Sequence, residues 1–322
     1  MKKTAFILSL FIITSIFISG CGKEAADQKK NDDNLLQVYT TVYPLQFFAE
    51  QIGGEYVNVE SIYPPGADEH TFEPSQKDMM ALADADLFLY VGLGLEGFVD
   101  KASKTLENED VKMVPVGEEL HLDEAEAGHE DEAADEHDSH QEDEHGHGDF
   151  DPHVWLDPIY ANELALAIKE QLSEQMPEHK DTFEKNYAEL SDQLKELDQN
   201  FSEVIGSAKR KEIIVSHSAY SYWEKRYGIK QISISGQSTT NEPSQKELKN
   251  LISHAKEENI KYVLNEQNFD SKLAKMVQAE IGANLLTLHN LSVLTDENLK
   301  KNETYFTLME ENIDVLEKAL NE

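Results

Sequence analysis

The sequence predicts an α/β protein of two lobes with mostly parallel sheets, joined by one long rigid helix. Three observations predict this architecture. Short β-rich runs alternate with helical patterns, which is typical of parallel sheets with crossover helices. A helix-start phrase occurs once in each half of the chain. A long apolar seam of helical spacing runs between the two halves.

Six runs rich in β-branched, aromatic and other apolar residues are the candidate strands. They are 37–42, 57–62, 87–91, 213–216, 261–264 and 284–288. Helical stretches lie between them at 76–83, 247–257 and 271–281. The first three strands precede the apolar seam and the last three follow it, so each lobe should contain its own sheet.

The repeated phrase is Glu-Pro-Ser-Gln-Lys followed by an acid, at 73–78 and again at 242–247. A serine followed three residues later by an acid is a capping-box pattern that marks the start of a helix. Each copy precedes a helix and then a strand, which suggests two lobes of related topology. The alternative is a common helix-start phrase that happens to be used twice.

The apolar seam follows Pro177, which fits the first turn of a helix. Its members recur at spacings of three and four: Phe183, Tyr187, Leu190, Leu194, Leu197, Phe201 and Val204. A helix from 177 to 205 would span about 44 Å, at 1.5 Å per residue. A coiled-coil dimer arm is the alternative, but the seam ends after about three heptads, and the e and g positions of those heptads show no clear pattern of paired charges. We therefore expect one helix packed along both lobes, which would limit the opening of the cleft.

The first residues predict a secretory signal peptide over 1–20, with two lysines, an apolar stretch over 5–18 and small residues before the cut. The only cysteine, Cys21, stands where a bacterial lipoprotein signal would place it, and the segment resembles such a signal. Cys21 would then be lipidated, and two acyl chains suffice for stable anchoring. The alternative is a plain signal peptide with an incidental cysteine. Residues 21–34 are polar and predict a flexible tether.

Composition excludes several classes of protein. The formal charge of −35 disfavours binding to nucleic acid. A single cysteine excludes an internal disulfide and a cysteine-rich zinc fold. Only one long apolar run is present, which excludes a multi-span membrane protein. The body then divides into a first lobe over 35–158, connecting helices over 159–206 and a second lobe over 207–322.

Six of the twelve histidines lie in one acidic stretch, 118–149, that contains no lysine or arginine. They are His121, His129, His137, His140, His145 and His147. Such a composition cannot form a core, so it predicts a mobile loop inserted in the first lobe. Imidazoles bind borderline divalent metals and carboxylates attract cations, which makes the loop a candidate accessory metal site. The alternative is a solubilising acidic insert.

Three other histidines stand in distinctive places. His70 lies in a proline-bounded loop, 64–74, after the second strand, and His153 lies in the segment Asp-Pro-His-Val-Trp-Leu-Asp-Pro. His217 ends an apolar strand. Ligands of α/β sheets favour the carboxyl ends of strands and the crevice between lobes. Singly, each histidine could equally be structural, because separations of 83 and 64 residues carry no local metal signature.

These phrases, with Glu-His-Thr-Phe-Glu-Pro around His70, the long helix and the acidic insert, resemble the cluster A-I metal-binding proteins of bacterial ABC importers. Within these, the sequence is most similar to the zinc-binding lipoproteins of high-affinity zinc uptake. The resemblance covers about residues 36–320. It implies a metal held between two lobes by His70, His153 and His217, plus a carboxylate or water. It also implies a monomeric, non-enzymatic protein on the extracytoplasmic side of the cell membrane, whose partners are an ABC permease and an ATPase.

The fourth ligand follows less directly from the resemblance. Many relatives place an acid in the loop after the last strand, but residues 288–292 contain none. Some zinc-specific relatives use the acid next to the first histidine, so Glu69 is the predicted ligand, with His289 and water as alternatives. Glu266 follows a buried strand and is expected behind the ligands or in a structural role. Asp157 could orient a histidine or cap the following helix.

Three imidazoles and at most one carboxylate favour Zn²⁺ over Mn²⁺, whereas Cu²⁺ would bind such a set at least as tightly. A manganese-binding importer component is one alternative to a zinc-binding one. A zinc hydrolase is a second, although the sequence lacks His-Glu-x-x-His. A surface adhesin is a third, because a lipid anchor would suit it equally.

Overall fold

The computed structural model describes residues 35–122, 150–267 and 271–322. The predicted signal peptide, Cys21, the tether and all the loop histidines except His121 lie outside the described residues. The described residues from Leu36 onward belong to one compact unit. Within the described ranges, no helix has both the length and the apolar character needed to span a membrane.

The first sheet has four parallel strands in the order β2-β1-β3-β4. The strands are β1 (Leu36–Thr40), β2 (Val57–Ser61), β3 (Leu87–Tyr90) and β4 (Lys112–Pro115). Three helices accompany them: α1 (Tyr43–Gly53), α2 (Gln76–Ala83) and α3 (Val99–Thr105). Helix α2 begins in the predicted capping box, because the Ser75 side chain accepts from the Asp78 amide while Asp78 accepts from the Ser75 amide.

Two antiparallel helices follow the first sheet, α4 (Pro158–Gln175) and α5 (Lys180–Ser207). The predicted long helix is therefore present, but it starts at Lys180 because Pro177–His179 forms a separate 3-10 turn. The seam residues Phe183, Leu190, Leu194, Leu197 and Phe201 are buried. The seam thus belongs to the core of this chain.

Helix α5 contacts both lobes. Near its start, the Phe183 ring lies 6.1 Å from that of Tyr56 in the first lobe. Near its end, the Phe201 ring lies 5.1 Å from that of Trp223 in the second. The helix packs along both lobes, as the seam predicted.

The second sheet repeats the first, with four parallel strands in the order β6-β5-β7-β8. They are β5 (Glu212–Val215), β6 (Lys230–Ser233), β7 (Tyr262–Glu266) and β8 (Asn284–Leu288). The remaining helices are α6 (Ser221–Tyr227), α7 (Gln245–Glu257), α8 (Lys272–Ile281), α9 (Asp296–Lys301) and α10 (Tyr305–Asn321). Helix α7 starts in the second capping box, formed by Ser244 and Glu247. The equal strand order confirms two α/β lobes of related topology.

The sequence prediction missed β4 and β6. Both lie at an outer edge of their sheet and span only four residues. An edge strand buries less than a central one, and β6 has no fully buried residue. The periodic apolar signal was therefore too short and too weak to detect.

Helix α10 was also missed, and it returns from the second lobe to the first. The Tyr305 ring lies 5.0 Å from that of Phe48 on α1, and its hydroxyl donates to the Trp155 carbonyl at 2.8 Å. The predicted lobe boundaries at residues 158 and 206 remain a prediction, because helix α10 follows both of them in sequence and still packs against the first lobe.

Candidate metal centre

The candidate site lies where loops from the carboxyl ends of both sheets meet. The loop after β2 carries Glu69 and His70, and the segment before α4 carries His153. His217 follows β5 by two residues. The edge of each sheet therefore supplies candidate ligands to the same place, as expected for parallel α/β folds.

One oxygen of Glu69 and one ring nitrogen each of His70, His153 and His217 all lie within 4.8 Å of one another. The Nε2 atoms of His153 and His217 are 3.3 Å apart. Two nitrogens bound to one tetrahedral zinc ion at its usual bond length of about 2.05 Å would stand about 3.3 Å apart. The donor set therefore fits a single small cation.

The His70 ring carries one of the buried polar atoms that lack a hydrogen-bond partner among the described residues. Its Nε2 is buried and makes no hydrogen bond to any described residue. Burial, reinforced by the charges of His153 and His217, lowers the pKa of His70 to about 3. The ring is therefore neutral at physiological pH, the form that binds a metal.

Asp68 fixes the loop that carries His70. Its Oδ1 accepts from the backbone amides of His70 and Thr71 at 3.0 and 3.1 Å. Its Oδ2 accepts from the hydroxyl of Thr239 in the second lobe at 2.7 Å. The first-lobe loop is thereby attached across the cleft.

Asp151 orients the His153 ring. His153 Nδ1 lies 2.7 Å from Asp151 Oδ1, which also accepts the His153 backbone amide at 3.0 Å. The Ser221 hydroxyl donates to Oδ2. Burial alone would raise the pKa of Asp151, but the charge and hydrogen bonds of His153, with the bond from Ser221, outweigh it and lower that pKa. Engaging Nδ1 in this way leaves Nε2 facing the cluster.

Glu266, at the end of β7, contacts the His217 ring as Asp151 contacts the His153 ring. Its Oε1 contacts His217 Nδ1, and both side chains are buried. Burial opposes protonation of the ring, but the adjacent Glu266 carboxylate prevails and raises the pKa of His217 to about 9. Glu266 thus lies behind a histidine, one of the two roles expected for it.

Glu69 is 3% exposed and is held by side chains of the second lobe. Its Oε1 accepts from Asn290 Nδ2 at 3.0 Å, and its Oε2 accepts from the Ser292 hydroxyl at 2.9 Å. Burial raises the pKa of Glu69, and the neighbouring charge of Glu266 adds to this shift. The predicted fourth ligand therefore lies with the histidines, in a site that has little access to solvent.

The other sequence candidates lie elsewhere. His289 is buried outside the cluster, with Nε2 3.3 Å from Glu311 and its backbone amide bonded to Asn312. His121 has a solvent-exposed ring, and its amide bonds to Glu163 at 3.3 Å. The remaining loop histidines, His129, His137, His140, His145 and His147, are outside the described residues.

Of the two roles considered for Asp157, the structure supports the helix cap. Its Oδ1 accepts from the amides of Ile159 and Tyr160 at 2.8 and 3.2 Å, and its Oδ2 pairs with Arg226. The acid that orients a histidine is instead Asp151, in the same short phrase. Its position two residues before His153, in the phrase Asp-Pro-His, is a local sequence signal for this role.

Comparison with known proteins gives consistent matches. A family model described as "Zinc-uptake complex component A periplasmic" matches residues 38–319. The high-affinity zinc uptake system protein ZnuA of Bacillus subtilis (strain 168) is 36% identical over 317 residues, which cover 97% of each chain.

Two further comparisons involve Streptococcus pneumoniae. The zinc-binding lipoprotein AdcA of strain ATCC BAA-255 / R6 is 35% identical over 325 residues, covering 100% of this chain and 62% of AdcA. The chain therefore spans less than two thirds of that relative. The crystal structure of the Zn(II)-bound ZnuA-like domain of AdcA superposes with a TM-score of 0.73 and 33% identity, covering 89% of this chain and 100% of that domain.

Proposed function

The chain belongs to the zinc-uptake complex component A family, and we propose that it captures Zn²⁺ outside the cytoplasm and delivers it to an ABC permease driven by an ATPase. The observation that carries this proposal is the cluster of Glu69, His70, His153 and His217. Three imidazole nitrogens and one carboxylate oxygen are a typical zinc donor set, whereas manganese prefers more oxygen ligands.

The surroundings of the cluster support binding rather than catalysis. A catalytic zinc site keeps an open position for water and a nearby general base. Here a buried carboxylate, Glu69, is available for the fourth position. Asp151 and Glu266, the neighbouring acids, each engage a histidine ring. We therefore infer that the protein is a carrier and not a hydrolase.

The setting of the protein in the cell is part of the proposal. Lipidation at Cys21 would attach the monomeric body to the outer face of the cell membrane through the polar stretch 22–34. The six histidines of the acidic segment 118–149 would bind zinc more weakly than the main site. The lipobox-like position of Cys21 supports the anchoring role, and the six histidines among acidic residues support the accessory zinc-binding role.

Zinc titration of matched histidine variants tests the ligand assignment. His153→Ala should lower zinc affinity by orders of magnitude, because it removes one inner ligand from a buried site. His254→Ala is the control, since this half-exposed histidine of the second lobe pairs with Glu212 and lies outside the cluster. Competition with a chromophoric chelator measures both affinities. Equal affinity of the two variants would show that zinc binds elsewhere.

Delivery and catalysis need separate measurements. Cells carrying His153→Ala should accumulate less zinc from zinc-limited medium than cells carrying His254→Ala. The zinc-loaded protein should not hydrolyse ester or peptide substrates above the rate of free zinc. Normal uptake by the His153→Ala cells would refute the transport role, and hydrolysis abolished by the same substitution would establish an enzyme.

A further inference from the structure

We propose that Asn290 and Ser292, in the loop after β8, are positioning residues that aim the Glu69 carboxylate at the ion and so contribute to the preference for zinc. This inference rests on the proposed zinc site. It concerns residues of the second lobe that hold a ligand of the first, across more than two hundred residues of chain.

The geometry at Glu69 supports a positioning role for both residues. Each carboxylate oxygen receives one hydrogen bond, from Asn290 Nδ2 at 3.0 Å and from the Ser292 hydroxyl at 2.9 Å. An ionised carboxylate has about four lone-pair sites, so two remain for a cation. Because Glu69 is 3% exposed, little water is available to take the place of either donor. These two bonds therefore define how the carboxylate faces the histidines.

The Asn290 side chain that donates to Glu69 is itself held in place. The Asn290 carbonyl oxygen accepts the indole N–H of Trp155 at 2.6 Å. Its side-chain Oδ1 accepts the Ser292 amide at 3.1 Å and the Gln267 side-chain amide at 3.3 Å. The carboxylates on the other side can only accept, so Nδ2 must face them. The orientation of the Asn290 amide is thus determined from both sides.

The single proton of the Ser292 hydroxyl has two acceptors within reach. Asn290 Oδ1 is 3.0 Å away and Glu69 Oε2 is 2.9 Å away. A hydrogen bond to an ionised oxygen is the stronger of the two. The proton therefore goes to Glu69, and Asn290 Oδ1 keeps its bonds from the Ser292 amide and from Gln267.

Asn290 also links Glu69 to the histidine side of the site. Asn290 Nδ2 also lies 3.0 Å from Oε2 of Glu266, the acid that contacts His217. One neutral amide therefore separates two buried carboxylates that would otherwise repel each other. Donating to both also draws charge from them. A carboxylate weakened in this way is a poorer ligand for manganese, while the three imidazoles still suit zinc.

The test compares Ser292→Ala with Ser292→Thr, which keeps the hydroxyl. Ser271→Ala is the matched control, because Ser271 is a buried serine of the same lobe that caps α8 away from the cluster. Zinc and manganese affinities are measured by chelator competition, and the visible spectrum of the cobalt-substituted protein reports the geometry of the inner ligands. Thermal unfolding of the metal-free proteins verifies their folds.

Ser292→Ala should lose about 10- to 100-fold in zinc affinity, the usual cost of removing a group behind a ligand. It should lose less manganese affinity and should show an altered cobalt spectrum. Ser292→Thr should restore both. Asn290→Ala, which removes the other donor, should shift the same two readouts. Wild-type zinc affinity and cobalt spectra in both alanine variants would overturn the inference, as would losses no larger than that of Ser271→Ala.

These outcomes can be separated from failure of the zinc site itself. If His153→Ala abolishes tight zinc binding while the Asn290 and Ser292 variants behave as wild type, the site stands and only their positioning role fails. If His153→Ala also binds zinc normally, the proposed function fails first.

Discussion

Substitution of Asp151 tests how the protein orients His153, a proposed zinc ligand, through a residue that does not contact the ion. The Asp151 carboxylate is 1% exposed and accepts two hydrogen bonds from His153, one from the ring and one from the backbone. Ser221 donates to the other oxygen. Asp151→Ala removes all three acceptor contacts, whereas Asp151→Asn retains an oxygen for His153 and removes the charge.

The magnitudes follow from these contacts. Loss of a group that orients a histidine typically costs 10- to 100-fold in metal affinity, or about 1.4–2.8 kcal/mol. Asp151→Ala should show the larger loss, because the ring can then turn its nitrogens away from the cluster. It should also destabilise the metal-free protein by about 1–3 kcal/mol for each buried donor left unpaired. Asp151→Asn should retain most of the stability and lose only the part of the affinity that depends on charge.

Isothermal titration with zinc in a competing chelator, together with urea unfolding of the metal-free proteins, measures both quantities. Asp157→Asn is a suitable control, because Asp157 is a buried acid six residues away that caps α4 and touches no histidine of the site. Zinc binding by Asp151→Ala as tight as that by Asp157→Asn would show that Asp151 does not orient His153. Equal losses of affinity and of stability in Asp151→Ala and Asp151→Asn would show the same.

Two further predictions concern parts of the chain outside the ligand set. Burial raises the pKa of Glu96 to about 7, despite bonds from Thr41 and from backbone amides, so its folded-state pKa lies above the unfolded value. Protonated Glu96 should contribute stability that is fully present below about pH 4.5 and is lost as pH rises through 7, up to about 3 kcal/mol. Urea unfolding across this pH range should show a smaller change of the unfolding free energy with pH in Glu96→Gln than in the wild type. An equal pH dependence in the two proteins would contradict the prediction. Deleting 118–149 should leave one tight zinc site per chain and remove the weaker ones, as counted by titration, whereas loss of the tight site would show that the segment supplies an inner ligand.

Most of the fold could be predicted from local signals. The six predicted strands, four central and two at sheet edges, were visible because their residues are apolar or β-branched, and both helix starts after the repeated phrase were visible because a capping box is a four-residue pattern. Strands β4 and β6 were not predicted, and neither were helices α1, α3, α6, α9 and α10. The two strands are short edges, and the return of α10 to α1 depends on contacts such as Tyr305 with Phe48 that only the assembled lobes reveal.

Whether a residue of the candidate site could be predicted also depends on how far apart in sequence the contacting residues are. His70, His153 and His217 could be singled out because each stands in a recognisable phrase or at a strand end, and the resemblance brought them together. Asp151 acts on His153 from two residues away and could have been found from the phrase. Ser292 reaches Glu69 from 223 residues away, and no local pattern encodes such a contact. It exists because two sheets of equal strand order present their carboxyl ends to one another. A loop without an acid can therefore still serve the proposed four-ligand site, because its neutral donors hold a carboxylate that the opposite lobe supplies.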